Sequence, residues 1–287
     1  MCLAALAIGS NPRFPWVLFS NRDEFFDRAS VPLAWWQAQP ASTPILSGRD
    51  CTAGGTWLGL NEAGRLALVT NVREPGRALP VSPSRGDLVP HWLHAASDAV
   101  DFRALARLPR NGFNLLTADL SVDATADAAP PAAWWTSNRP EPVHRAIGPG
   151  VYGLSNAALD TPWPKVLQLK RRLHTALQQS CGVADIEAAG FDALADRAVA
   201  PDALLPGTGL PLHRERQLSA AFIHVVGESA QQDYGTRCST VVVVECLPSQ
   251  RVVHVVERRF GRGAEQTGES RFCVPITGAA PPRVKAA

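Results

Sequence analysis

The chain has 287 residues, 46% of them hydrophobic, enough to bury a substantial core without disulfides or metals. Charged residues make up 19%, the formal net charge is +2, and no basic run or stripe occurs, which argues against a nucleic-acid partner. The six cysteines (Cys2, Cys51, Cys181, Cys238, Cys246, Cys273) show neither CxxC nor CxxCH spacing, so a zinc ribbon, a thioredoxin-type pair and covalent haem are not expected. Their scatter fits a reducing cytoplasm better than a disulfide framework. The first apolar run, Leu3 to Ile8, is too short for a signal-peptide core or a membrane span. These features predict a cytoplasmic protein with no integral membrane segment.

In chain order, Cys2–Ile8 and residues 16–21 read as two strands joined by the turn Gly9-Ser10-Asn11-Pro12. Both are nearly all apolar, so both of their faces are predicted to be covered. Residues 29–50 read as a loop containing Pro32, Pro40, Pro44 and the Trp35-Trp36 pair. A second hairpin follows: residues 56–60, the turn Asn61-Glu62-Ala63-Gly64, and Arg65–Asn71. Residues 84–108 carry helical periodicity through Leu88, Trp92 and Ala95. Further strands are predicted at Phe113–Asp119, 133–137 and 151–155.

Thr161 with Pro162 reads as a helix start, and Val166, Leu169, Leu173 and Leu177 extend an apolar stripe to Ser180. A second helix is predicted over 185–198. Strands return at 238–246, 252–259 and 271–276. Strands, then helices, then strands predict a layered α+β domain over residues 1–277, with a fraying tail at 278–287.

The chemistry starts at Cys2. Cleavage of Met1 leaves a cysteine whose thiol and α-amino group lie on adjacent carbons. An amine with a reference pKa of about 7.7–8 can take the proton of a thiol near 8.5, so one residue supplies nucleophile and base. Asn21-Arg22-Asp23-Glu24 closes the second strand, and pairing brings that end back beside Cys2. A guanidinium there can lower the thiol pKa, and a carboxylate can hold an α-ammonium. Alternation puts Asn21 and Asp23 on one face and Arg22 and Glu24 on the other. Arg22 and Asp23 reach one site only if the strand ends or bulges there.

Met1-Cys2, the Asn21–Glu24 tetrad, the Gly59-Leu60-Asn61-Glu62-Ala63-Gly64 hairpin and Tyr234-Gly235-Thr236-Arg237 before a Val-rich strand together resemble the NRDE family, also called the transport and Golgi organisation protein 2 family. More distantly, the layout is similar to the cysteine N-terminal-nucleophile hydrolases of choloylglycine hydrolase and penicillin acylase type. The resemblance implies a four-layer αββα sandwich and acyl transfer. It makes Cys2 the nucleophile and Arg22 the arginine that closes the second strand. The acid of those hydrolases follows that arginine after two intervening residues, whereas Asp23 follows at once, so Asp23 and Glu24 both stay open as the partner of the amine. Asn71 resembles the asparagine that helps form the oxyanion hole, and Asn156 a second pocket asparagine. Arg237 resembles a basic residue late in the chain that faces the site, and Asn21 and Glu24 join it as candidate substrate contacts.

The remaining features are read as structural. His91 and His94 fit a solvated helix face, since no carboxylate joins them at HExxH spacing. His224 and His254 lie in apolar runs and are read as core histidines. The Trp35-Trp36 and Trp134-Trp135 pairs are read as packing, and Cys238 as a buried, inert thiol. Two functions follow from the resemblance. One is a hydrolase or acyltransferase acting on an amide or thioester of a small molecule. The other is a non-catalytic binding or trafficking protein for haem or acyl-CoA/lipid on the same fold. No metal or obligatory cofactor is expected.

Overall fold

The first strand, β1 (Cys2–Ile8), is buried along its whole length. Leu3, Ala5 and Ala7 pack on one face and Ala4, Leu6 and Ile8 on the other, each set into a different apolar cluster. That two-sided burial requires a layer above and a layer below the strand. The computed structural model describes residues 2–37, 42–76, 83–94, 101–121, 131–248 and 250–276.

The chain continues through β2 (Trp16–Phe25), β3 (Ser30–Trp36), β4 (Ile45–Asp50), β5 (Leu58–Asn61), β6 (Arg65–Asn71), α1 (Leu88–His94) and α2 (Phe102–Arg107). β7 (Phe113–Asp119), β8 (Ala132–Ser137), β9 (Val143–Ile147) and β10 (Gly150–Leu154) lead to α3 (Pro164–Gln179), α4 (Val183–Leu194) and α5 (Leu212–Gln217). The chain ends in β11 (His224–Val225), β12 (Tyr234–Leu247), β13 (Gln250–Phe260) and β14 (Gln266–Ile276).

Among the described residues, the strands form two sheets. The first has the order β10-β1-β2-β12-β13-β14, with β11 beside β12; the second runs β3 to β9 in sequence order. Leu6, Leu18, Leu66, Leu68, Leu116, Val242 and Val244 fill the space between the sheets. Phe19, Val241 and Val243 meet Val166, Leu169, Leu173, Ile186 and Phe191 of α3 and α4 on the outer face of the first sheet. Val69, Phe113 and Leu115 meet Leu88, Val89, Trp92 and Phe102 of α1 and α2 outside the second. The architecture is therefore the expected αββα sandwich, and the Val241–Val244 run alternates between two apolar layers.

Several local expectations change. Residues 29–50, read as loop, contain β3 and β4. Pro32 is tolerated because β3 is an edge strand whose register slips between Val31 and Ala34. β2 continues through the tetrad to Phe25, because Asp23, Glu24 and Phe25 pair with Thr236, Gly235 and Tyr234. In place of one helix over 84–108, a 3₁₀ turn (Arg85–Asp87), α1 and α2 occur; residues 95–100, Ala95 included, lie outside the described residues, as do Pro40 and the tail at 278–287. Gly64 closes the β5–β6 turn at φ 85°, a backbone state that favours glycine. His224 is exposed, where a core position was expected, because its two-residue strand lies at the sheet margin. The tryptophan pairs do pack: Trp36 and Trp134 pack under α1 and α2, Trp35 and Trp135 between the sheets. No helix among the described residues is long and apolar enough to cross a membrane.

Candidate active site at the start of the first strand

The hairpin register pairs Cys2 with Arg22, and Arg22 on its other side pairs with Cys238. Cys2 is the first residue of β1, so β2 loses its neighbour on that side beyond Arg22. Opposite, β12 slips register between Thr236 and Cys238, leaving Arg237 as the extra residue. Alternation holds through the tetrad, with Asp23 on the side of Asn21 and Arg22 beside Glu24, and the end of β1 lets both faces of β2 border one cavity. A cavity of about 430 Å³ opens there, lined by Cys2, Arg22, Asp23, Glu24, Asn71 and Tyr234 among others.

Cys2 is buried, 7% exposed, and its carbonyl accepts a hydrogen bond from Ser155 Oγ at 3.0 Å. Burial pushes its thiol pKa up; the amino terminus and Arg22 oppose that rise, and Asp23 and Glu24 add to it. Arg22 is buried with its guanidinium stacked over the Trp57 ring, 4.3 Å from the centroid. Its Nη2 lies 3.8 Å from Glu24 and 3.9 Å from Asp50, while Nη1 is buried with no hydrogen-bond partner among the described residues. Glu24 is held by its neighbour's amide and sits 3.8 Å from Arg28.

Asp23 is buried on the helix-facing side. Thr236 Oγ1 donates to its Oδ1 at 2.8 Å and Tyr234 donates to its carbonyl at 3.0 Å. Burial raises its pKa, and the strongest opposing influence is Lys165. Asn71 ends β6 on the opposite sheet. Asn156 Nδ2 donates to the Asn71 Oδ1 at 2.9 Å and to its carbonyl at 3.1 Å, which orients the Asn71 amide with its Nδ2 away from Asn156. Asn156 is in turn tied to the Cys2 strand through Ser155.

The structure thus gathers Cys2, Arg22, Asp23, Glu24 and Asn71 around one cavity. Asn156 does not line it; it is the support for Asn71, because its amide hydrogens are committed there. Asn21 does not line it either. On the helix-facing side, Asn21 Nδ2 donates to the carbonyls of Leu194 and Ala221, both at 2.9 Å, and its Oδ1 accepts from Ser239. Its amide ties β2 to the outer helix layer. Arg237 turns away at the bulge: its Nη1 donates to the carbonyls of Phe25, Phe26 and Arg28, and it faces a smaller cavity of about 230 Å³ shared with Cys238 and Glu257.

Sequence reasoning missed Arg73, Arg85 and Trp57, which line the cavity. Arg85 lines the cavity, and its pKa is lowered by burial against the raising influence of Cys2 and Glu24. Among the described lining residues, Arg28 is paired with Asp50 at 2.7 Å, whereas Arg85 and Arg214 bond to the neutral oxygens of Gly112 and Gln217. Arg73 bonds Glu215 at 2.9 Å. Only Arg73 carried a signal, two residues after Asn71. Trp57 and Arg85 belong to the opposite sheet and its helix layer, and nothing in their spacing points to Cys2. No grouping of three or more His, Cys, Asp or Glu suited to a metal occurs among the described residues, and His91 and His94 do not line the cavity.

Four layers, with a cysteine at the start of an interior strand beside a cavity, define the class: an αββα sandwich. The Transport and Golgi organisation 2 family profile matches residues 1–262. The chain belongs to that family. It is 32% identical over 240 residues to the mouse Transport and Golgi organization 2 homolog and 33% identical to the human one, covering 80% of this chain and 82% of each relative. The Drosophila melanogaster protein is 26% identical over 291 residues, covering 94% of this chain and 95% of its own. Two variants of the conjugated bile acid hydrolase from Clostridium perfringens superpose with TM-scores of 0.43 and 0.48 at 10% and 9% identity. They cover 95% and 94% of this chain and 92% of each hydrolase chain.

Proposed function

We propose that this protein is a cysteine N-terminal-nucleophile hydrolase or acyltransferase acting on an amide or thioester of a small molecule. Removal of Met1 frees the α-amine of Cys2, which takes the thiol proton as the sulfur attacks the acyl carbonyl. A C–S bond forms and the carbonyl electron pair moves onto oxygen, where the Asn71 Nδ2 donates to it. Collapse breaks the C–N or C–S bond of the substrate, and the leaving group takes the proton back from the α-ammonium. Water or an acceptor amine then cleaves the acyl-enzyme by the same route and restores the thiol. Arg22 favours the thiolate, and Asp23, not Glu24, meets the amine, because Glu24 already faces Arg22 and Arg28.

The observation that carries this reading is the opening of the Cys2 end of β1 onto a cavity of about 430 Å³ shared with Arg22, Asp23 and Asn71. Arg85 and Arg214, which among the described residues donate to the neutral oxygens of Gly112 and Gln217, support a substrate with a negative charge. An acyl-type electrophile is expected to label Cys2 of the intact protein, with the label absent in Cys2→Ala. Equal labelling of both proteins removes the mechanism. The intact mass is expected to lack Met1; a retained methionine blocks the amine and argues for binding over catalysis.

Those same arginines favour a second reading, the non-catalytic binding or trafficking of haem through its propionates or of acyl-CoA through its phosphates. Titration with haemin and with acyl-CoA separates the two. Micromolar binding that survives Cys2→Ala, with no adduct on the wild-type thiol, decides for the carrier.

A further inference from the structure

Three neighbouring strands place a cysteine, a histidine and a glutamate on the face of the first sheet that carries α3 and α4. His254 of β13 pairs with Val243 of β12 on one side and with Cys273 of β14 on the other. Val241 and Val243 belong to the helix-facing cluster, and alternation puts Glu245 on the same side. His254, expected in the core, is half-buried, and Cys273 is exposed on the edge strand. The Cys273 Sγ lies 3.4 Å from His254 Nδ1, and His254 Nε2 lies 3.1 Å from Glu245 Oε2. Arg13, from the β1–β2 connection, holds the other oxygen: its Nε and Nη2 donate to Glu245 Oε1 at 3.1 and 2.8 Å. A nucleophile, a base and a group that orients the base thus stand in contact in that order.

These contacts fix where the imidazole hydrogen sits. A carboxylate oxygen has no hydrogen to give, so Nε2 carries it and donates to Glu245. Nδ1 keeps its lone pair toward the thiol and accepts from it. Cys51, also exposed, has its sulfur 4.0 Å from the Arg49 carbonyl, an amide oxygen and no base. Cys273 lies beyond residues 1–262, so the family match does not cover it, and it lines neither cavity described above.

We propose that Cys273 is a second reactive thiol, activated by His254 and positioned through Glu245, and that it is a site of reversible oxidation by hydrogen peroxide. The thiol proton passes to His254 Nδ1 as the sulfur attacks one peroxide oxygen. An S–O bond forms, the O–O bond breaks, and the leaving hydroxide takes the proton from the imidazolium and departs as water. The sulfur loses two electrons to the peroxide and ends as a sulfenic acid. Two molecules of a small thiol reduce it again, releasing water and their disulfide. Exposure at a sheet edge suits an oxidant this small. The site is independent of the nucleophile reading of Cys2.

The test treats the full-length protein with hydrogen peroxide in excess dimedone and reads the adduct on each cysteine peptide, with exposed Cys51 and Cys181 as internal controls. Cys273 is expected to be trapped about tenfold faster than either control. His254→Phe keeps a ring and removes the base, and is expected to bring Cys273 down to the control rate with Cys51 and Cys181 unchanged. Glu245→Gln keeps the shape but offers an amide N–H to Nε2, which sends the imidazole hydrogen to Nδ1, and is expected to have the same effect. Glu245→Asp is expected to restore most of the rate. A wild-type Cys273 trapped no faster than the controls overturns the proposal, and so does a fast rate that survives His254→Phe. A fast rate in Glu245→Gln alone overturns the role of Glu245. The Cys2 adduct is read on its own peptide, so failure here leaves the nucleophile reading standing.

Discussion

Cys2 and Cys238 face the same arginine from opposite strands. Both pair in register with Arg22, both are buried, and burial raises the pKa of both. Their surroundings differ. Cys238 lies within β12, packs into the layer between the sheets, and has Glu257 beside it, which raises its thiol pKa further. Cys2 stands at a strand end, beside a cavity nearly twice as large as the one Cys238 lines. Register beside Arg22 is therefore common to both thiols. Under the proposed mechanism Cys2 is the nucleophile because removal of Met1 gives it an amine as proton acceptor and because β2 has no neighbour on the β1 side beyond Arg22.

The widest separation between these thiols is in reactivity. Cys2→Ala is expected to remove all covalent capture in the cavity, a loss of at least about 100-fold, while Cys238→Ala leaves the rate at Cys2 unchanged. Labelling of native Cys238 at a rate matching Cys2 would dissolve the contrast.

The helix-facing side of β2 sharpens the contrast through stability. The folded-state pKa of Lys165 is depressed to about 8 from 10.5, so the charged side chain costs the fold stability below about pH 8, and that cost is relieved as pH rises toward 10.5. Wild type is expected to gain about 3 kcal/mol over Lys165→Met across that window, measured by urea denaturation at each pH. A constant difference would contradict the depressed pKa. Asn21→Ala strands the Leu194 and Ala221 carbonyls and the Ser239 hydroxyl, and is expected to cost about 2 kcal/mol in the same assay with Cys2 alkylation retained. Loss of alkylation in a folded Asn21→Ala protein would return Asn21 to the site.

Smaller effects test the shared arginine. Arg22→Met removes the cation that favours the Cys2 thiolate and is expected to slow alkylation about tenfold at pH 7.5, with Arg22→Lys intermediate. An unaltered rate would leave Arg22 with only its stacking on Trp57. Last, iodoacetate is expected to outpace iodoacetamide at Cys2 by about threefold relative to the same ratio at exposed Cys51, and Arg85→Met to erase that preference. Equal ratios at the two cysteines would argue against an anionic substrate.

Much of the fold was readable in order along the chain because both periodicities are strong. The apolar stripe of α3 and the all-apolar β1 required covering layers, and both have them. β3 and β4 were missed because prolines and a register slip hide an edge strand. Of the site, Cys2, Arg22 and Asp23 were legible from one motif and one hairpin, and Asn71 from the resemblance and its place at a strand end. Asn156 and Asn21 were legible as polar residues near that motif, but their amides are committed to Asn71 and to the outer helix layer, a distinction that depends on which way each side chain turns.

The amino-acid order alone predicted the hairpin that returns the tetrad to Cys2, since two consecutive apolar strands joined by a Gly- and Pro-containing connection pair antiparallel; the register that sets Arg22 opposite Cys2 is seen in the structure. Only the tertiary structure decided what else stands there. Arg85 and Trp57 come from segments beside the opposite sheet, and their approach is set by how the layers pack. The bulge at Arg237, which swings that guanidinium out of the cavity, is likewise a product of strand pairing over two hundred residues apart in sequence.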